Sequence, residues 1–181
     1  TTAERPRVAA EGQMRYNTDS LKFEVFEGGE WQNNVDIADN VYYVSKSGSD
    51  NNSGKTVGSA FASLDYAVTQ VPEGSTIKVK SGDYTINNPI RVPRDVAIVG
   101  DSLRTVTIRA GNPTQDMFWV YNGSYLEQMT FKDHEAPAAA VAFPPDGSVG
   151  EIFQSPYVQN CTSITTTGTG MRVDGNHAQG L

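Results

Sequence analysis

Between residues 41 and 86 the spacing of apolar positions changes from that of a strand to that of a helix and back again. Residues 41 to 44, VYYV, are β-branched and aromatic and read as a short strand. Residues 45 to 59 form a polar loop with three glycines, too hydrophilic to pack as core. Ala60, Phe61, Leu64, Ala67, Val68 and Val71 then recur at helical spacing. This stripe predicts a helix of about three turns over roughly residues 60 to 71. Ser63 is placed to help cap it, and Pro72 and Gly74 stop it. From residue 76 to 80 the period returns to two, with Ile77 and Val79 inward and Lys78 and Lys80 outward. Ser81-Gly82-Asp83 turns the chain, and Tyr84 starts the next strand.

Beyond Gly74 the apolar stretches recur. Val79, Val99, Val120 and Val141 are 20, 21 and 21 residues apart, and Ile108, Met129, Ile152 and Val173 are 21, 23 and 21 apart. Turn residues such as Gly82-Asp83, Asn87-Asn88-Pro89, Gly111-Asn112-Pro113 and Asn122-Gly123 lie between them. A coil of roughly 20 residues holding two or three short strands is the repeat of a parallel β-helix. Inward positions are aliphatic, and outward ones are Thr, Ser, Asn and Arg. A single amphipathic helix ahead of such a series has a physical purpose. Laid across the open end of the coil, it covers unpaired backbone and exposed core.

The N-terminal part is organised differently. Residues 1–11 lack periodicity and read as an extended lead-in. Residues 12–34 read as a three-stranded meander, with turns at Thr18-Asp19-Ser20 and Glu27-Gly28-Gly29. Such a meander cannot bury enough apolar surface alone. Tyr16, Phe23, Phe26 and Trp31 are therefore expected to stay wet unless copies of the chain, or the β-helix cap, cover them. Residues 35–40 form a short acidic connector in which Asp36 and Asp39 are solvated rather than metal-binding. Residues 41–181 form the β-helix, with a cap over 41–75 and coils over 76–181. The pattern is still running at Gln179-Gly180-Leu181, so the expectation is that more chain follows. The expected fold is all-β: a right-handed single-stranded parallel β-helix with an N-terminal capping helix and a small N-terminal β-meander.

Two resemblances attach to these segments. The block with Gly48-Ser49-Asp50, Ser53-Gly54, Leu64, Ala67, Val71, Pro72, Gly74, Thr76-Ile77, Val79, Gly82 and Tyr84 resembles the start of pectin-lyase-like β-helix proteins. That implies a fold but no single function, because lyases, hydrolases, adhesins and inert virion parts share it. Arg15 to Thr18, Phe23-Glu24 and Gly28 to Trp31 resemble a short module of tail-fibre and other virion proteins of tailed bacteriophages. With the β-helix, and with the run GMRVDGNHAQG near the C-terminus, the chain resembles structural proteins of contractile-tailed phages, cyanobacterial ones in particular. The resemblance implies a virion component of the tail region, assembled in the host cytoplasm. Its partners would be other virion proteins and copies of itself, three by analogy with fibres. Arg15, Tyr16, Asn17, Phe23, Trp31, Trp119 and Tyr121 are the expected assembly residues. Host surface polysaccharide is a further expected partner.

Charge and cysteine content narrow the field. The formal net charge of the 181-residue chain is −7, which disfavours nucleic acid as a partner because phosphate binding needs a basic footprint. The lone Cys161 excludes an intrachain disulfide and a cysteine-based zinc site, and reads as core or turn packing. No apolar run approaches 18 residues, so no membrane span is expected, and the polar first residues are not a signal peptide.

Candidate chemistry is sparse. A glycoside hydrolase needs two carboxylates about 5 Å or about 6.5 to 9.5 Å apart. The candidates are Asp116, Glu127, Asp133, Glu135, Asp146 and Glu151, of which only Asp133-His134-Glu135 is a dense titratable group. In a strand-like run Asp133 and Glu135 would face one way and His134 the other. The bland alternative is a solvated turn, and His177 reads as a loop or interface residue. No phosphate loop, zinc pattern or nucleophile elbow is present. No cofactor or metal is expected. Phe118, Trp119, Tyr121 and Tyr125 cluster in one coil, and alternation sends Trp119 and Tyr121 outward. Such a pair can pack on a partner chain, which is favoured, or stack on a sugar. A non-enzymatic virion component is the leading reading. A tailspike-like depolymerase of host polysaccharide and a non-cleaving carbohydrate adhesin are the alternatives.

Overall fold

The computed structural model describes residues 9–19, 22–32, 40–143 and 156–173. The chain divides into two compact units, Thr1–Asp39 and Asn40–Leu181. The connector residues Asp36 and Asp39 lie outside the described residues.

In the first unit β1 (Met14–Asn17), β2 (Lys22–Glu27) and β3 (Glu30–Gln32) form an antiparallel sheet in that order. Gly28 and Gly29 make the two-residue turn between β2 and β3, at φ of 62° and 83°. A side chain is disfavoured at such angles, so the glycine pair suits this turn. Tyr16 pairs with Phe23 and Arg15 with Glu24, so the sheet has two unlike faces. One carries the buried Val25 and, all exposed, Met14, Tyr16 and Phe23, with the two rings edge-to-face at 5.2 Å. On the other, the Glu24 carboxylate is buried and accepts a 2.9 Å hydrogen bond from Asn17 Nδ2. Arg15 Nε lies 3.3 Å from the same carboxylate, and its guanidinium sits 5.5 Å from the Trp31 ring centroid. Phe26 meets Trp31 edge-on at 5.5 Å. The expectation that all four aromatics stay wet holds for Tyr16 and Phe23, whereas Phe26 and Trp31 are partly buried.

The second unit is a parallel β-helix. After β4 (Val41–Val44), a 3-10 turn (Val57–Ser59) and α1 (Leu64–Gln70), the chain winds through twelve strands among the described residues. The first coil holds β5 (Thr76–Val79), β6 (Gly82–Ile86) and β7 (Ile90–Arg91). The second holds β8 (Ala97–Gly100), β9 (Val106–Ala110) and β10 (Phe118–Trp119). The third holds β11 (Tyr125–Glu127), β12 (Thr130–Lys132) and β13 (Ala139–Ala142), and the fourth β14 (Tyr157–Gln159), β15 (Thr162–Ile164) and β16 (Thr169–Arg172). Three sheets result: β4-β5-β8-β11-β14, β6-β9-β12-β15 and β7-β10-β13-β16, each parallel throughout. Apolar side chains stack up the inside, as in Tyr42-Ile77-Ile98-Leu126, Tyr84-Ile108-Phe131 and Ile90-Phe118-Val141.

The stacked positions correct the expected repeat. Val79 pairs with Gly100 rather than Val99, and Val141 belongs to another sheet. Ile108 stacks on Phe131 rather than Met129, and Ile152 lies outside the described residues. Register puts Ile77, Ile98, Leu126 and Val158 in one row, at intervals of 21, 28 and 32 residues. Hydrogen bonding holds the strands level while the surface turns absorb extra residues, so no fixed period survives.

The cap also differs in detail. The helix is seven residues long, because Ala60 is extended and Phe61 bridges Val44 like a strand residue. Leu64, Ala67 and Val68 close the core, while the free edge of β4 is met by the loop rather than by the helix. Tyr43 N donates to Gly54 O at 2.7 Å, Phe61 N to Tyr43 O at 2.8 Å, and Ser45 N to Phe61 O at 2.9 Å. Asp50 locks this arrangement. Its Oδ1 accepts from Ala62 N (2.9 Å) and Ser63 N (3.0 Å), and its Oδ2 from the Ser63 hydroxyl (2.8 Å). Ser63 Oγ in turn accepts from Tyr66 N at 3.2 Å, capping the helix as expected. A Cβ on Gly48 would fall 2.3 Å from Phe61 O, and one on Gly54 equally close to the Phe61 ring.

Replacing Asp50 by Ala should cost about 1–3 kcal/mol, since three bonds at the helix start lose their acceptor. Urea unfolding of the full chain checks this. An unchanged midpoint would mean that the loop does not hold the cap.

Candidate functional site

The second and third sheets meet at a corner, crossed by residues 87–89, 111–117, 133–138 and 165–168 on successive coils. Asn88 organises it. Its Nδ2 donates to the carbonyls of Asn112 (2.8 Å), Gln115 (2.7 Å) and Asp116 (3.2 Å), and its Oδ1 accepts from Asn112 N at 2.9 Å. These bonds pin the long loop of the second coil to the coil below and fix Asp116 at its end. The Asp116 side chain is 7% exposed. Its Oδ1 accepts from Ala139 N (2.9 Å), and its Oδ2 from Trp119 Nε1 (2.9 Å) and Arg172 Nη2 (2.6 Å). Arg172 Nη1 also donates to Pro137 O at 3.1 Å. The burial of this carboxylate is thus offset by three donors, one of them charged.

Trp119 projects outward as alternation predicts, with Phe118 and Val120 buried on either side of it. The Arg91 guanidinium stacks on its ring, 4.5 Å from the centroid, and Arg91 Nη1 donates to Tyr121 Oη at 2.6 Å. Beside Trp119 opens a cleft of about 270 Å³, walled by Trp119, Arg172, Pro89 and Pro137 and completed by Thr114, Gln115 and Asp116.

The titratable triplet occupies the same corner one coil further on, but its side chains diverge. Asp133 has φ of 66°, outside strand geometry, so strand alternation does not apply to this run. Its carboxylate accepts from Arg109 Nη1 at 2.7 Å, and Arg109 Nε donates to both oxygens of Asp83 at 2.8 and 2.9 Å. This Asp83-Arg109-Asp133 ladder is a surface feature of the second sheet. His134 is fully buried, with Nε2 3.1 Å from Ser163 Oγ, while the Thr165 hydroxyl donates to its carbonyl. Gly168 lies against it, so close that a Cβ there would sit 2.8 Å from the ring. Glu135 is exposed, and its backbone N donates to Pro113 O at 2.8 Å. His134 is therefore a packing residue between the third and fourth coils.

The remaining candidates are quieter. The Tyr125 hydroxyl donates to Glu127 at 2.8 Å and holds its carboxyl below the usual range, which suits an acceptor rather than a general acid. Cys161 packs against the core, and burial pushes its thiol pKa up, away from reactivity. Asp146, Glu151 and His177 lie outside the described residues. Among the described residues no group of three or more His, Cys, Asp or Glu could hold a metal, and no helix is long and apolar enough to cross a membrane. Of the assembly candidates, Tyr16 and Phe23 are exposed, Arg15 and Asn17 contact Glu24, Trp119 lies in β10, and Tyr121 follows it, bonded to Arg91. Sequence reasoning missed Asn88 and Arg172, and took Asp116 only as a candidate acid.

These features define a parallel β-helix protein with a separate antiparallel module. No protein-family model matches the chain, and no curated protein matches it in sequence. Among solved structures, the ORF18 protein of Geobacillus virus E2 aligns with a TM-score of 0.43 and 14% identity. The alignment covers 66% of this chain and 29% of that one.

His134 yields a pH prediction. Burial pushes its pKa down, against weaker opposing effects of the Thr169 backbone and the Asp133 charge. The unfolded chain, with a His pKa of about 6.5, then binds the proton more readily than the folded one. Stability should thus be fully present above about pH 6.5 and fall as the pH drops from there toward the folded-state pKa. Urea midpoints measured from pH 7 down to about pH 5.5 should decline in the wild type and stay flatter in His134→Gln. Equal slopes would exclude His134 as the source.

Proposed function

We propose that this chain is a non-enzymatic structural component of a tailed-phage virion, working in the tail, baseplate or a fibre and present in several copies. The observation that carries the reading is the antiparallel module. The residues by which it resembles virion modules are those that build it: Arg15 and Asn17 hold the buried Glu24, and Gly28-Gly29 forms the turn that brings Trp31 opposite Phe26. Its other face leaves Met14, Tyr16 and Phe23 exposed, at 67%, 47% and 53%. A three-stranded sheet this small gains stability by covering such a face, and a second copy of the chain offers a matching one.

The body of the protein suits the same role. A β-helix joins each coil to the next by continuous backbone pairing, which makes a stiff element without disulfides. Asp133 is engaged by Arg109 and His134 is core, which favours a scaffold over cleavage at this triplet.

Immunogold microscopy of intact particles, with antibody against this chain, should label the tail end or fibres. Absence of label, with the protein abundant in lysate, would overturn the assignment. On the purified chain, light scattering should give a multimer, three copies by analogy with fibres. Tyr16→Ser with Phe23→Ser should shift it to smaller species without changing the melting of the β-helix. An unchanged mass would exclude this face as the contact.

A further inference from the structure

We infer that the corner cleft beside Trp119 is a saccharide-binding site that takes one pyranose ring of an oligosaccharide. The inference does not depend on where the chain is displayed, and goes beyond the structural role.

The cleft is built around a buried carboxylate whose two oxygens are already engaged. Asp116 spends its oxygens on Ala139 N, Trp119 Nε1 and Arg172 Nη2. Its effect is to hold an indole and a guanidinium in fixed positions on one cleft. The indole is braced further by Arg91 stacked on it. Preorganisation of this kind lowers the entropic cost of binding. Without Asp116, both side chains would be free to fold back on the surface.

The exposed chemistry selects the ligand. Arg172 has a side chain 31% exposed and uses two of its five N–H donors among the described residues. The rest are available to acceptor oxygens, and Gln115 and Thr114 add an amide and a hydroxyl to the wall. Trp119, Pro89 and Pro137 supply rigid apolar surface. A pyranose matches both halves, since its C–H face packs on an indole and its hydroxyls accept from the guanidinium. A polyphosphate matches poorly, because Asp116 offsets the Arg172 charge and the chain carries a net −7. At about 270 Å³ the cleft lies just below the usual range for small-molecule sites, which suits a single ring better than a peptide segment.

Saturation-transfer NMR on the full chain tests this, with glucose, galactose, mannose, rhamnose, N-acetylglucosamine and glucuronic acid as separate probes. At least one should receive transfer from the wild type. Trp119→Ala and Arg172→Gln should each weaken that signal, with affinity lower by about tenfold or more. Circular dichroism checks that each variant folds. Should Trp119→Ala fail to fold, Arg172→Gln and Gln115→Ala decide the question. No transfer from any probe to the wild type would overturn the site, as would transfer that survives in the folded variants. Loss of multimer mass in Trp119→Ala, with no sugar bound by the wild type, would instead assign the cleft to protein contact. The particle assignment is read separately by microscopy, so either idea can fail without the other.

Discussion

Each coil of a parallel β-helix is held by the hydrogen bonds it shares with the strands before it, and β4, which opens the stack, has no strand before it. The strand edge there would present unpaired donors and acceptors, and the first core layer would face water. In this protein one residue links the two remedies. The Phe61 backbone bonds to both Tyr43 and Ser45, completing the edge of β4 together with Gly54. Its ring is stacked on Tyr42 at 6.3 Å and meets Tyr66 of α1 edge-on at 5.3 Å, closing the core. The glycines of the loop follow from this: Gly48 must clear the Phe61 carbonyl and Gly54 its ring. Asp50 then ties the loop to the helix start, so edge and core are closed by one structure.

The strands were legible in sequence wherever a single periodicity operated. Alternation found the meander, the inward Ile77 and Val79 and the outward Trp119, because each strand has one buried face. The cap helix came out too long because Ala60 and Phe61 fall at helical spacing although they are extended. Both are buried, and burial alone does not distinguish the two conformations. The repeat was recognisable but its frame slipped. Register is a property of hydrogen bonds between coils, and loops of unequal length between strands leave no fixed interval to count.

The site was harder to read for a related reason. Asp116 and Arg172 are 56 residues apart, and Asn88 is 28 residues from the Asp116 carbonyl it holds. Stacking brings such residues together, and only the register says which ones. In line across the third sheet are Arg91, Trp119, the buried Ala142 and Arg172, an order that no local pattern reveals. The Asp133-His134-Glu135 run drew attention because its titratable groups are adjacent. Adjacency meant little there, since a residue at positive φ breaks the alternation on which the pairing of Asp133 with Glu135 rested.

The triplet and the cleft nevertheless share one architectural origin. Corner loops of seven and six residues on the second and third coils lie between shorter ones of three and four, counted over 111–117, 133–138, 87–89 and 165–168. Longer loops on a stacked corner need tying to their neighbours. Asn88 ties the second coil's loop to the first, Glu135 N to Pro113 O joins the second to the third, and Ala136 N to Thr167 Oγ1 joins the third to the fourth. His134 fills the space beneath, against Ser163 and Gly168. The buried polar residues of the corner thus serve its geometry, and Trp119 and Arg172, with Thr114 and Gln115, are left on the wall of the cleft. In a fold whose strands are committed to stacking, such a corner is where a binding surface can be built without disturbing the register.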